Sequence, residues 1–152
     1  SYLLAAAVAA TGLFSKDPAL SVVAGVATAK VGLSFGQAFT RAVLCNALVV
    51  LACWVQAASK DLIGKILSMW FPVMLFVLAG FEHSIANMFF IPLGQFLGAE
   101  ITFAQTWLGN ILPVTLGNFV GGAVIVPCAY YAAYLAGAKA EKAQSPAQKK
   151  KK

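Results

Sequence analysis

The sequence predicts an all-α integral membrane protein, and three observations carry that reading. Of its 152 residues 61% are hydrophobic and only 11% are charged, with a mean hydropathy of +0.82; soluble domains carry near 25% charged residues. The runs 42–52, 66–79 and 84–98 contain no charge at all. Between the last two runs stand Glu82 and the only histidine, His83, side by side. An ionisable group inside a membrane costs several kcal/mol, so its presence there points to function.

The chain opens with Tyr2 to Phe14, an apolar run of about thirteen residues, against the roughly twenty a spanning helix needs. No charged segment precedes it, so it does not read as a signal peptide. It is expected to be the end of a helix that begins earlier, in a longer protein. Ser15-Lys16-Asp17-Pro18 then reads as a turn at the membrane surface. Ala19 to Ala29 is small and weakly apolar, suited to lie along the interface or to cap a vestibule, and Lys30 follows it alone.

A second span is expected from about Gln37 to Ala58. Arg41 lies about one turn inside it and can snorkel to a head group. Asn46 sits in its uncharged middle, and two readings stay open: a helix-to-helix hydrogen bond or a pore-facing amide. Ser59 to Lys65 reads as a short polar loop.

Ile66 to Gly98 is the third membrane element. At roughly thirty-three residues it is too long for one straight span and too short for two with a loop. A broken helix fits, with one half ending near Ala79 and the other starting near Ser84. Irregular backbone at membrane depth is tolerated where it is buried in protein or lines a wet cavity. Transporters build solute sites at such breaks, and a new helix N-terminus near Ser84 would aim N–H groups at an anion.

Glu100 marks the next surface loop, and Ile101 to Leu108 is mildly amphipathic. The last span is expected from about Asn110 to Ala136, with Pro113 and Pro127 predicting a kink. Gly117, Gly121 and Gly122 form a small-residue face for close helix packing.

The net charge of +6 belongs mainly to the end of the chain, where Lys139, Lys142 and Lys149 to Lys152 meet only Glu141. Before it, five basic residues face four acidic ones, leaving about +1. Residues 1–136 therefore read as the membrane domain and 137–152 as a basic, disordered tail. No aromatic or base-reading pattern accompanies those lysines, so no nucleic-acid partner is implied. By the positive-inside rule Lys60 and Lys65 share the cytoplasmic or stromal side with this tail. Cys45, Cys53 and Cys128 show no metal spacing and read as packed free thiols.

Enzyme readings fail on inventory: one histidine, no cysteine at useful spacing, no nucleophile elbow and no phosphate loop. No cofactor or metal is implied. What remains is a cation, a titratable ring and apolar walls. Lys30 facing a vestibule would concentrate small anions, while a dry constriction would exclude a free charge. A histidine there stabilises the anion as a cation, or protonates a weak-acid anion to a neutral molecule. Whether Glu82 and His83 face each other stays open.

Two stretches carry a family resemblance. They are Gly80-Phe81-Glu82-His83-Ser84-Ile85-Ala86-Asn87-Met88-Phe89 and Asn110-Ile111-Leu112-Pro113-Val114-Thr115-Leu116-Gly117-Asn118-Phe119-Val120-Gly121-Gly122. With them, residues 2 to 136 resemble the formate/nitrite transporter family. The resemblance implies an aquaporin-like fold of six spans in two inverted halves, assembled as a homopentamer with one pore per subunit. This sequence would supply the end of span three and spans four to six. By position, His83 resembles the family's central pore histidine and Asn87 a polar neighbour on the second half-helix. Lys30 matches the lysine near the pore, Asn46 the span-four asparagine, and Phe76 an aromatic constriction beside Glu82-His83. The implied substrates are small monovalent anions: formate, nitrite, hydrosulfide, lactate and, in algal plastid members, bicarbonate.

The expected function is therefore a channel or transporter for small monovalent weak-acid anions in a lipid bilayer, in a plasma or inner membrane or a chloroplast envelope. A neutral-solute pore and a structural subunit, with Glu82-His83 tying helices together, are the competing readings.

Overall fold

A computed structural model of the chain describes residues 1–136, and every regular element among them is helical. Six helices follow one another: α1 (Tyr2–Ala10), α2 (Ala19–Val31), α3 (Phe35–Ala58), α4 (Leu62–Leu78), α5 (Ser84–Phe96) and α6 (Gln105–Leu135). At 24 and 31 residues, α3 and α6 both exceed the ~20 apolar residues that cross a bilayer. The lysine-rich segment 137–152, expected to be a disordered tail, lies outside the described residues.

Capping moves two starts earlier than hydropathy predicts. Ser34 accepts from the Gln37 N–H at 3.3 Å, and the Gln37 carboxamide accepts from the Ser34 N–H at 3.0 Å. This reciprocal box satisfies two otherwise unpaired donors, so α3 begins at Phe35 rather than Gln37. Asp61 does the same for α4 by accepting from Gly64 N–H at 2.8 Å. Leu62 to Lys65, expected as loop, is therefore the first turn of a helix.

α6 also departs from expectation. The amphipathic stretch and the last span are one helix from Gln105 to Leu135, with wider π-helical turns at Gln105–Ile111, Val120–Ile125 and Tyr131–Leu135. The first two end two residues before a proline: Leu112 N–H reaches back to Trp107 C=O, and Val126 N–H to Gly121 C=O. Proline brings no N–H and crowds the preceding turn, and a wider turn makes room for its ring.

Small residues bring the helices together. α3 buries Ala38, Ala42, Cys45 and Ala52, while α6 buries Asn110, Val114, Gly117, Asn118 and Gly121 at helical spacing. A Cβ on Gly117 or Gly121 would strike the Phe39 or Val43 carbonyl, and on Gly122 the Asn46 side chain. Backbone thus touches backbone, the packing role expected of these glycines. α2 lies on α5 in the same way, with Gly94 against Ala27. α1 also meets α5, where the Tyr2 and Phe96 rings pack edge to face at 5.2 Å. α4 buries no side chain fully, and Trp70, Phe71, Leu75 and Leu78 stay exposed.

The three cysteines are free thiols, but only Cys45 is buried. Cys53 directly follows buried Ala52, about 100° round the helix, and so leaves the packed stripe. Cys128 is exposed on α6. The expectation that all three are packed is corrected accordingly.

Candidate functional site

Between α4 and α5 lies a five-residue stretch outside both helices. Gly80, at φ +68°, closes α4. Its N–H bonds to Val77 C=O at 3.2 Å and the Phe81 N–H to Phe76 C=O at 3.0 Å, the paired bonds of a glycine-terminated helix end. The backbone then extends to His83, which caps α5: its Nδ1 accepts from the Ala86 N–H at 3.4 Å. A ring whose Nδ1 accepts carries its proton on Nε2. The imidazole is half-buried and stacks on Phe76 of α4, with centroids 5.9 Å apart and planes at 23°. His83 and Phe76, both singled out from the sequence, therefore meet.

Glu82 is occupied elsewhere. Its Oε1 accepts from Lys30 Nζ at 3.1 Å, and its Oε2 accepts from Asn87 Nδ2 at 2.5 Å and from Asn110 Nδ2 at 3.4 Å. With 3% of its surface exposed, the carboxylate is buried, and it needs those donors to offset lost hydration. Lys30, in the last turn of α2, also lies 5.9 Å from the Phe90 ring centroid. Lys30 is thus half of an ion pair rather than the lone cation expected.

One backbone carbonyl fixes the direction of this network. The Lys30 C=O accepts from Asn110 Nδ2 at 2.9 Å. A carbonyl cannot donate, so Asn110 must turn its Oδ1 the other way, to accept from Asn87 Nδ2 at 2.8 Å. Asn87 therefore presents its NH2 group to Glu82 as well, where Oε2 accepts it. Asn87 is fully buried.

Asn46 makes the helix-to-helix bond, its Nδ2 donating to the Asn118 backbone carbonyl at 2.7 Å. The Asn118 side group is itself in use. Its Nδ2 donates to Ala42 C=O at 2.9 Å and to Glu82 C=O at 3.0 Å, and its Oδ1 accepts from Ser84 N–H at 2.9 Å. Sequence reasoning assigned no role to Asn110 or Asn118. Their signal was a pair of amides eight residues apart on the last span, the second between Gly117 and Gly121. The Lys30–Glu82 pair spans 52 residues and left no local signal. Among the described residues no group of three or more His, Cys, Asp or Glu side chains is placed to hold a metal ion.

The formate/nitrite transporter family model matches residues 1–132. The chain belongs to the formate/nitrite transporter family. It is 48% identical to a probable formate transporter of Methanothermobacter thermautotrophicus, over 89% of this chain and 53% of that protein. It is 40% identical to a formate channel of Bacillus thuringiensis, over 76% of this chain and 44% of the relative. Among solved structures, a pentameric formate channel with formate bound superposes with a TM-score of 0.79 at 33% identity, covering 88% of this chain and 60% of that one. A second structure, an ion channel of the formate/nitrite transporter family, gives 0.70 at 36% identity, over 74% and 45%. The chain spans about half the length of the curated relatives it matches. Membership makes it part of an integral membrane protein, and two of its helices are long and apolar enough to cross a membrane.

Proposed function

We propose that the full-length protein is a transmembrane channel for small monovalent weak-acid anions of the formate and nitrite class, with His83 at its central constriction. The observation that supports this is the placement of His83. Its ring stands at the gap between α4 and α5, its Nδ1 tied to Ala86 and its Nε2–H left for a passing solute. Phe76 stacked beside it narrows the passage with an apolar wall. α4 and α5 then act as two halves of one broken membrane element, within an aquaporin-like, six-span inverted-repeat fold and a homopentamer. The likeness to a pentameric formate channel supports that assembly.

A small anion meets two features in turn. The positive end of the α5 dipole attracts it, although the Ser84 and Ala86 N–H groups are already taken by Asn118 and His83. Lys30 adds to that attraction only through the exposed part of its ammonium, since Glu82 balances its charge locally. At the constriction an anion would have to shed its water in an apolar ring, at a cost of several kcal/mol. Protonation at His83, or a hydrogen bond from Nε2–H, lowers that barrier. Asn87 and Asn46 hold the frame in which this happens. Bicarbonate, also small and monovalent, is the alternative substrate of the same pore.

A neutral-solute pore has one observation on its side: the nearest cation is paired, so the passage carries no uncompensated charge. The structural reading fits Glu82, which ties α2, α5 and α6 together, better than it fits His83. Reconstituted full-length protein separates these. Uptake of formate, nitrite and bicarbonate into liposomes is measured with proton movement, for the wild type and for His83→Ala and His83→Asn. The channel reading expects changed flux or changed pH dependence in both variants. Flux unchanged across about pH 5 to 8, where an imidazole titrates, would remove His83 from the mechanism.

A further inference from the structure

We infer that Asn118 is a positioning residue for His83, gripping the backbone on both sides of that histidine and so fixing where its ring points. The inference rests on the pore reading of His83 for its functional consequence. Its structural core is a pair of bonds from one carboxamide. Asn118 Nδ2 donates to the C=O of Glu82 at 3.0 Å, and Asn118 Oδ1 accepts from the N–H of Ser84 at 2.9 Å. In extended backbone, the C=O before a residue and the N–H after it face the same way, as they do toward a neighbouring strand. The Asn118 amide therefore plays the part of the N–H and C=O of one residue in a neighbouring strand, supplied by a helix.

The residue held between those two bonds is His83, at φ −121° and ψ 117°. Both of its soft dihedrals lie between the two gripped atoms, so the pair fixes them together. A third bond, from Asn118 Nδ2 to Ala42 C=O at 2.9 Å, stops the amide rotating. A fourth, from Asn46 to the Asn118 backbone at 2.7 Å, anchors that turn of α6 to α3. Asn118 is buried, with 7% of its surface exposed. The break in the membrane element thus borrows its missing backbone partners from α6. Gly117 and Gly121, on either side of Asn118, let α6 come close enough to α3 for this.

The test uses the full-length protein in liposomes with Asn118→Ala, Asn118→Asp and a packing control, Val114→Ala, on the same buried face of α6. Hydrogen exchange at the Ser84 amide is read beside the pH dependence of formate flux. One hydrogen bond of net ~1 kcal/mol corresponds to about a five-fold change in opening, so Asn118→Ala should speed Ser84 exchange by about that factor or more. Asn118→Asp keeps the acceptor for Ser84 and loses both donors, so Ser84 should stay protected. In both variants the pH of half-maximal flux should move, because the ring is no longer presented in one direction. Val114→Ala should lower thermal stability and leave both readouts as in the wild type.

Unchanged Ser84 exchange in Asn118→Ala would overturn the grip. So would a flux–pH profile that overlays the wild type once the amount of assembled protein is matched. Should Asn118→Ala fail to assemble, a wild-type profile in Asn118→Asp overturns the inference. A wild-type profile in His83→Ala would strike the pore reading instead, and Ser84 exchange would still judge the grip by itself.

Discussion

Lys30 Nζ lies 3.1 Å from Glu82 Oε1, joining the end of α2 to the residue before His83 across 52 positions of sequence. Together with the packing of Ala27 on Gly94, this bond places α2 beside the gap between α4 and α5. A buried acidic side chain depends on such a partner to offset its lost hydration.

Removing one partner should therefore be worse than removing both. Lys30→Met leaves Glu82 with amide donors alone and should cost about 3 kcal/mol, the low end for breaking a buried pair because the ammonium keeps some contact with solvent. The double variant Lys30→Met/Glu82→Gln removes both charges and keeps an acceptor for Asn87. It should unfold at a higher temperature than the single variant in detergent. The opposite order would show that the pair does not stabilise the fold.

Phe76→Ala should widen the passage. The ring stacks 5.9 Å from His83 and is only partly buried, so its loss opens space at the constriction rather than a closed cavity. Formate flux should rise, and larger carboxylates such as lactate should pass more readily relative to formate. An unchanged ratio of lactate to formate flux would show that Phe76 does not set the width.

Gly121→Ala tests the helix contact. The added Cβ would fall on the Val43 carbonyl, a backbone atom that cannot swing aside. Overpacking of this kind costs roughly 1–3 kcal/mol, so the melting temperature should drop clearly. Exchange along α3 near Val43 should also quicken. A variant as stable as the wild type would mean that α3 and α6 do not touch here.

Asn46→Ala should be milder. It deletes one bond of 2.7 Å to the Asn118 carbonyl, and membrane hydrogen bonds between helices average about 0.6 kcal/mol. A loss as large as that of Gly121→Ala would mark Asn46 as more than a brace.

Much of this architecture was legible in the sequence because a bilayer leaves a polypeptide few options. Uncharged runs located the membrane helices, and Gly80 with Glu82-His83 located the gap. Helix ends were less legible where hydrophobicity does not decide them. Ser34 with Gln37, and Asp61, start α3 and α4 through local hydrogen bonds, and those residues look merely polar in a hydropathy scan. The two prolines of α6 predicted disturbance, but not that wide turns would absorb them within one continuous helix. At the site, His83, Asn87 and Glu82 could be found because each breaks an apolar pattern near the gap, and Phe76 through the family resemblance. Their pairing could not. Lys30 stood out only as a lone cation, and with Asn110 and Asn118 it joins them only after α2 and α6 fold back, a closure that no spacing along the sequence encodes.

The Asn110–Asn87 amide pair, pointed one way by the Lys30 carbonyl, is a poor conductor. A relay must accept a hydrogen on one side and release another on the far side, then reset; a carboxamide locked against a backbone oxygen does neither readily. Under the proposed pore role of His83, charge neutralisation at the imidazole is therefore to be looked for along the solute's own route, with the hydrogen arriving through the lumen and not through the wall.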